Sequence, residues 1–460
     1  MPDHRTGRRL VAACLAASLM PLNSTMIAVA LPEISTEFDT DPAVVAQALV
    51  TSYLVAAIVL QSPAGKIGDR VGHARMVATG QVVVGAGALL GFLASSLAAL
   101  TVARVLMAAG GAVLVPATVA LLRHELPEER RGRAYGAFGA VMALAAALGP
   151  LLGGELVAQF GWASVFVANL PVLVASAFLA GTVGAHVGPP AERGPVRFDW
   201  VGSVLLAAAL GATVLGLRPD GGHTIGFIIA GGACIVPFVV WERRVADPVV
   251  AFALFRSVPF TAGTVLIAVQ NLVMYALLFE VPLVADELFE VDARGTGRLL
   301  VSLMLAMVLV SPVAGRLADH LGARVLAVAG SVVALVGITA LAVTDLTSQA
   351  EVAVPLALLG IGLGLTTPAA QSASISAAAA SQAGMAAGIA STMRYLGGLV
   401  GVAVMSVMLD VTGTRADLVG EHRTLMVVFA GALVLGLVCA VLLPVRQITG
   451  SIRSRSNADT

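Results

Sequence analysis

Four ionisable residues interrupt long apolar runs of this sequence: Arg104, Glu155, Glu280 and Arg394. A charge carried into hydrocarbon is costly, so each is a candidate for function. A carboxylate in such surroundings can bind and release a proton, because desolvation raises its proton affinity while a neighbouring guanidinium lowers it. Glu280 is the first candidate proton carrier and Glu155 the second. Glu280 stands two residues before Pro282 and follows Gln270, Asn271 and Tyr275. Positions 271 and 275 are one helical turn apart and 270 is near the same face, so a polar stripe lining a cavity is expected. The competing reading puts Glu280 at headgroup level beside Asp286 and Glu287.

Asn23, Tyr53, Arg104, Asn169, Gln270, Asn271 and Arg394 lie deep in apolar segments among Met, Phe and Leu, and are the candidate substrate-cavity residues. Apolar walls with sparse polar groups suit a bulky amphipathic ligand that is neutral, zwitterionic or weakly charged. Taken singly, residues of these types are more often packing than ligand contacts. The seven histidines and three cysteines show no metal-ligand spacing, so no metal and no cofactor is expected. An intramembrane enzyme would need a His–acid, Ser–Lys or metal constellation at depth, and none is legible.

A short motif occurs twice, 250 residues apart: Gly65-Lys-Ile-Gly-Asp69-Arg70-Val-Gly72-His-Ala-Arg75 and Gly315-Arg316-Leu-Ala-Asp319-His320-Leu-Gly322-Ala-Arg324. Gly65 and Gly72 are expected to permit a tight reversal, and Asp69 to accept from the first amides of the following helix. Asp69, Arg70 and Arg75, with Asp319 and Arg324 in the repeat, are candidates for a conformational latch between helices. The plainer alternative is charge that only fixes topology. Elsewhere Ala145, Gly149 and Gly153 recur every four residues, making a smooth face for close helix contact, with Pro150 bending the same helix and Gly154 beside it. Gly360/Gly364, Gly384/Gly388 and Gly397/Gly401 read as ordinary small-residue packing.

The elements that must carry these groups are membrane helices. The chain of 460 residues is 58% hydrophobic and 12% charged, with a mean hydropathy of +0.94, outside the range of soluble domains. Dividing it at its polar breaks gives fourteen candidate spans, the first near 9–31 and the last near 424–443. With both termini cytoplasmic, only Arg218, Arg294, Arg298, Arg415 and Arg423 of the 27 basic residues fall in external loops, as the positive-inside rule requires. The doubled motif implies two related halves, an architecture of secondary transporters. Its spacing is too long for six plus six spans, so the apolar pair near 200–217 and 224–241 is expected to be an inserted hairpin.

Several segments resemble the major facilitator superfamily, and its fourteen-span drug:proton antiporter branch (DHA2-like) in particular. The doubled loop resembles the family's loop signature, Arg104-Val-Leu-Met-Ala-Ala-Gly110-Gly111 its fourth-helix signature, and Gly149-Pro150-Leu-Leu-Gly153-Gly154 its antiporter signature. Phe198-Asp199-Trp200-Val-Gly202, Trp241-Glu242-Arg243-Arg244 and Leu254-Phe255-Arg256 resemble markers around that branch's two extra helices. The resemblance implies proton-driven export of amphipathic compounds from the cytoplasm. One feature departs from it: where many relatives carry an aspartate in the first helix, this chain has Asn23, which cannot titrate, so any proton-carrying role moves to another residue.

The expected fold is thus an all-α polytopic membrane protein, two pseudo-symmetric six-helix bundles with two inserted transmembrane helices. The bundles are expected over 1–185 and 259–445, the linker and hairpin over 186–258, and a cytoplasmic tail over 446–460. The expected partners are a small amphipathic substrate, protons and the lipid bilayer of the inner (plasma) membrane, with no nucleic acid, and the expected state is a monomer. The alternative function is a facilitator, or an exporter of a lipid or metabolite, on the same fold.

Overall fold

The computed structural model describes residues 4–181, 199–216, 224–245, 248, 252–378, 383–410 and 414–445. These residues contain no strand. The helices are α1 (His4–Met26), α2 (Leu31–Glu37), α3 (Pro42–Ala46), α4 (Ser52–Val71), α5 (His73–Phe92), α6 (Leu97–Glu125), α7 (Glu128–Phe160), α8 (Ser164–Val167), α9 (Asn169–Gly181), α10 (Trp200–Gly216), α11 (Thr224–Glu242), α12 (Val258–Phe289), α13 (Ala293–Leu321), α14 (Ala323–Val343), α15 (Gln349–Ser376), α16 (Ala383–Met408) and α17 (Arg415–Val441). A 3-10 turn, Ile27–Ala30, joins α1 to α2, and a π turn, Gln47–Thr51, joins α3 to α4. Eleven helical segments of the described residues are long and apolar enough to cross a bilayer, and shorter apolar helices occupy 164–180, 201–212 and 230–242. Their outer faces carry bare aliphatic side chains such as Val82, Leu93, Val204, Val236 and Val438, which lipid rather than water would cover.

Residue chemistry explains where the helices stop. Asp41, Ser96, Asp292 and Thr414 each accept a backbone N–H of the helix they precede, and Asp417 completes a capping box with Thr414. In the doubled motif the reversal falls at a single residue of each copy. Gly72 (φ 97°) and Gly322 (φ 89°) adopt a backbone that a side chain strains, and their amides close the helices on Gly68 and Ala318 carbonyls. Gly65, expected to share in the turn, lies inside α4 because the helix runs on to Val71.

The helix pairings repeat. α1 packs on α6, α7 and α9, α4 on α6, and α5 on α6; α12 packs on α15, α16 and α17, α13 on α15, and α14 on α15. Glycine marks equivalent contacts. A Cβ on Gly149 or Gly153 would strike α1 at Thr25 and Met26, and one on Gly397 or Gly401 would lie 2.0 Å from the Ala268 or Leu272 carbonyl of α12. Gly397/Gly401 therefore does in the second half what Gly149/Gly153 does in the first. The two sets of helices meet where α7 packs on α13 and α4 on α16. The α10–α11 pair packs on α4 through α10.

Candidate functional site

Arg104 sits at the centre of the first set of helices, 2% exposed and in no ion pair among the described residues. Its Nε donates to the Leu49 carbonyl at 3.0 Å and one terminal nitrogen to the Asn23 carbonyl at 3.1 Å. The other terminal nitrogen has no partner. Both acceptors lie where helix geometry departs from α: Leu49 in the π turn, and Asn23 four residues before the 3-10 turn begins. Such irregularities free carbonyls that a regular helix would use itself. The guanidinium carbon lies 4.2 Å from the centre of the Tyr53 ring, whose hydroxyl donates to the Met20 carbonyl at 2.8 Å. Asn23, Tyr53 and Arg104 are thereby one cluster that ties α1, the α3–α4 junction and α6 together, with the guanidinium delocalised over a ring face.

The second set of helices reaches this cluster with tyrosines. Tyr275 on α12 donates to the Ser24 hydroxyl at 3.3 Å, and Tyr395 on α16 approaches Met20 sulfur at 3.6 Å. Arg394, half-buried beside Tyr395, contacts Gln371 Oε1 at 3.4 Å, while its Nε is buried and unpartnered. Gln270 accepts from Thr367 on α15, and Ser391 on α16 donates to Gln61 on α4. Asn271 spends its amide on the Ile267 carbonyl of its own helix, and Asn169 bonds Val165 and Phe166 where α8 passes into α9.

The polar residues of α12 are not one wall. At about 100° per residue, Glu280 is turned roughly 140° from Tyr275, and the helix accordingly presents Tyr275 to α1, Gln270 to α15 and Glu280 to α17. Glu280 is fully buried within the protein, with Oε1 2.5 Å from His422 Nδ1, while Asp286 and Glu287 further along α12 are exposed. His422 Nε2 lies 3.3 Å from the Leu341 carbonyl, and a small cavity beside the pair is lined by Val284, Leu299 and Val352. His422 was missed in the sequence because the last span reads as starting at 424, whereas α17 starts at Arg415. Leu418, Leu425, Met426 and Phe429, all buried with it, form a helical stripe that points to its core position.

Glu155 has a different setting. It is half-exposed and held by Arg294 of α13 through two nitrogens, Nε–Oε2 at 2.8 Å and a second contact at 3.0 Å, with Gln159 also bonding Oε1. Beside this pair Gly154 and Gly297 bring α7 and α13 to backbone contact. At the inserted pair, Asp199 accepts from the Gly202 amide at 2.8 Å and the Trp241 indole at 2.6 Å, joining both ends of the hairpin. A Cβ on Gly202 would lie 2.3 Å from Asp199 and 2.5 Å from Glu242. Of the latch candidates, Arg75 is exposed and Arg324 half-buried at the starts of α5 and α14; the side chains of Asp69, Arg70 and Asp319 lie outside the described residues.

The family profile described as Major Facilitator Superfamily matches residues 13–402. The tetracenomycin C resistance and export protein of Streptomyces glaucescens is 32% identical over 407 residues, covering 87% of this chain and 75% of that protein. The cephamycin export protein CmcT of Amycolatopsis lactamdurans is 32% identical over 452 residues, covering 95% of this chain and 91% of that one. Among solved structures, a bacterial homolog of the human lysosomal transporter Spinster, in an inward-facing and unoccupied conformation, superposes with a TM-score of 0.70 at 14% identity, covering 96% of this chain and 98% of that one.

Proposed function

The chain belongs to the Major Facilitator Superfamily and is a multi-pass membrane transporter, and on that premise we propose that it exports amphipathic drugs or antibiotics from the cytoplasm, across the plasma membrane, in exchange for protons. The observation that carries the reading is the pairing of a buried cation cluster at Arg104 with a fully buried carboxylate at Glu280 on opposite sets of helices. The relatives named for tetracenomycin C resistance and export and for cephamycin export support an antibiotic-like substrate class.

Alternating access needs two bundles that rock about a shared centre. The recurring helix pairs and the α7–α13 and α4–α16 seams support two six-helix bundles, with α10 and α11 as a fourteen-span hairpin insert. Tyr275–Ser24 and Tyr395–Met20 join the second set of helices to α1 beside this cluster, and in this scheme a substrate reaching Asn23, Tyr53 or Arg104 parts them. Glu280 is the proton carrier in this scheme. Glu155, half-exposed and tied to Arg294, serves better as an outer clasp between the bundles. The arginine asymmetry supports cytoplasmic termini, with the doubled motif on the inner side.

The test is flux. Purified protein in vesicles with an imposed pH gradient is offered ethidium, tetracycline, a quaternary amine and a fluorescent lipid. Gradient-dependent movement of any of the first three supports the reading. Movement of the lipid alone, or of none, transfers the protein to the lipid or metabolite alternative.

A further inference from the structure

The Glu280–His422 contact contains more information than a distance. The ring's two nitrogens face two oxygens, Nδ1 at 2.5 Å from Glu280 Oε1 and Nε2 at 3.3 Å from the Leu341 carbonyl. A carbonyl only accepts, so Nε2 carries a hydrogen. The Nδ1–Oε1 contact needs a hydrogen as well, supplied either by the ring or by the carboxyl group. In both cases the pair holds one proton more than a carboxylate beside a neutral ring, and its net charge is zero.

Burial argues the same way. The Glu280 side chain has no exposed surface, His422 has 3%, and Glu280 Oε2 has no hydrogen-bond partner. An uncompensated carboxylate there would be a bare charge in an apolar surrounding. Among the described residues no other charged group is hydrogen-bonded to the pair: on α17 Arg415 donates to the Leu288 and Leu346 carbonyls, the latter residue bordering the cavity, and Glu421 accepts from the Asp410 amide. On α17 Arg423 is exposed and bonded to Asp345 of the α14–α15 connection. On α15 Glu351 is bonded to Thr347; on α13 Arg298, next to the cavity-lining Leu299, is exposed; on α12 Asp286 and Glu287, also exposed, lie nearly two turns and about two turns further on.

We infer that Glu280 and His422 form one single-proton site, and that α12, α14 and α17 close as they do here only while it holds its proton. Loss of the proton leaves one negative charge, which either draws water into the small cavity bordered by both residues or separates α12 from α17. Proton release is thus coupled to loosening of one end of the second bundle. No covalent step is involved: a proton enters on Nδ1 or Oε1 and leaves by the same atoms. The inference rests on the proton-coupled reading for its role in transport, and on geometry alone for its existence. His422 holds and positions the proton, whereas no such role was legible for it in the sequence.

The experiment has two arms. In lipid nanodiscs, a full-length variant whose other histidines are replaced by Gln, labelled with 15N-histidine and with 13C at the Glu side-chain carboxyls, is observed by NMR at neutral pH, with E280Q identifying the carboxyl signal. The expected result is an imidazolium, or a neutral ring beside a carboxylic acid, with the extra proton lost in E280Q. A neutral ring beside an ionised carboxylate overturns the proposal. In vesicles, H422Q is expected to lose the stimulation of ethidium efflux by a pH gradient. Full stimulation in H422Q overturns the coupling role; if H422Q does not fold, H422N serves, and the first arm stands without either. Should wild-type vesicles move none of ethidium, tetracycline and the quaternary amine while the extra proton is present, the export reading fails and the proton site survives.

Discussion

Arg294 of α13 grips the Glu155 carboxylate of α7 with two nitrogens, directly beside the place where Gly154 and Gly297 bring the same two helices to backbone contact. The charge pair and the close approach mark one seam between the halves. An ion pair open to solvent is screened and adds little to stability, so its value is in orienting the seam. Glu155→Gln is accordingly expected to leave the pH-gradient dependence of export intact, which ethidium efflux in vesicles measures. Loss of coupling in that variant would return Glu155 to the proton path.

The glycine contact should be far less forgiving. A Cβ on Gly297 would lie 2.6 Å from the Pro150 carbonyl, and one on Gly154 would lie 2.4 Å from that of Ala293. Gly297→Val forces the helices apart, at a cost on the order of 1–3 kcal/mol for overpacking. The expected outcome is protein that reaches the membrane but melts lower and exports several-fold more slowly, read by thermal unfolding in detergent and by flux. Gly388→Val, with open space around it, is the control that should change neither.

At the centre, Arg104 makes two separated hydrogen bonds and one ring contact that a single ammonium cannot reproduce. Arg104→Lys is expected to reduce export at least about tenfold, the effect of roughly 1.4 kcal/mol, with normal abundance in the membrane. Tyr53→Phe removes one hydroxyl bond to Met20 and should cost only about 0.6 kcal/mol, the average for interhelical hydrogen bonds in lipid. Equal effects of the two changes would contradict the assignment of the centre to Arg104.

The hairpin gives a third contrast. Trp241→Phe removes one bond to Asp199, about 1 kcal/mol, whereas Gly202→Ala pushes a methyl group between the Asp199 and Glu242 carboxylates. Protease protection of the α10–α11 segment should fall slightly in the first and markedly in the second.

Much of this was legible in the residue order. Arg104 and Glu280 stood out because charge is rare in apolar runs, and the doubled Gly-Asp-Gly spacing announced the repeat that Gly72 and Gly322 carry in their matching backbone angles. What could not be read depends on three dimensions. The π turn at Gln47–Thr51, which positions the Leu49 carbonyl for Arg104, has no sequence signature. Gly397 and Gly401 looked like any small pair until α12 was seen against them, where they match Gly149 and Gly153 on α1. Asp199 and Trp241 were visible as separate markers, 42 residues apart, and only folding joins them. On α12 only 271 and 275 nearly align, about 40° apart; Gln270 and Glu280 are each turned roughly 140° from Tyr275, so the polar run that looks like one face along the sequence is spread over three.

The most direct measurement of the central claim is the proton itself. Vesicles holding a pH-sensitive dye, with ethidium applied on one side and no initial pH difference, are expected to show protons moving opposite to ethidium in the wild type and no proton movement in Glu280→Gln. Ethidium crossing through the wild-type protein with the dye unchanged would contradict proton-coupled export.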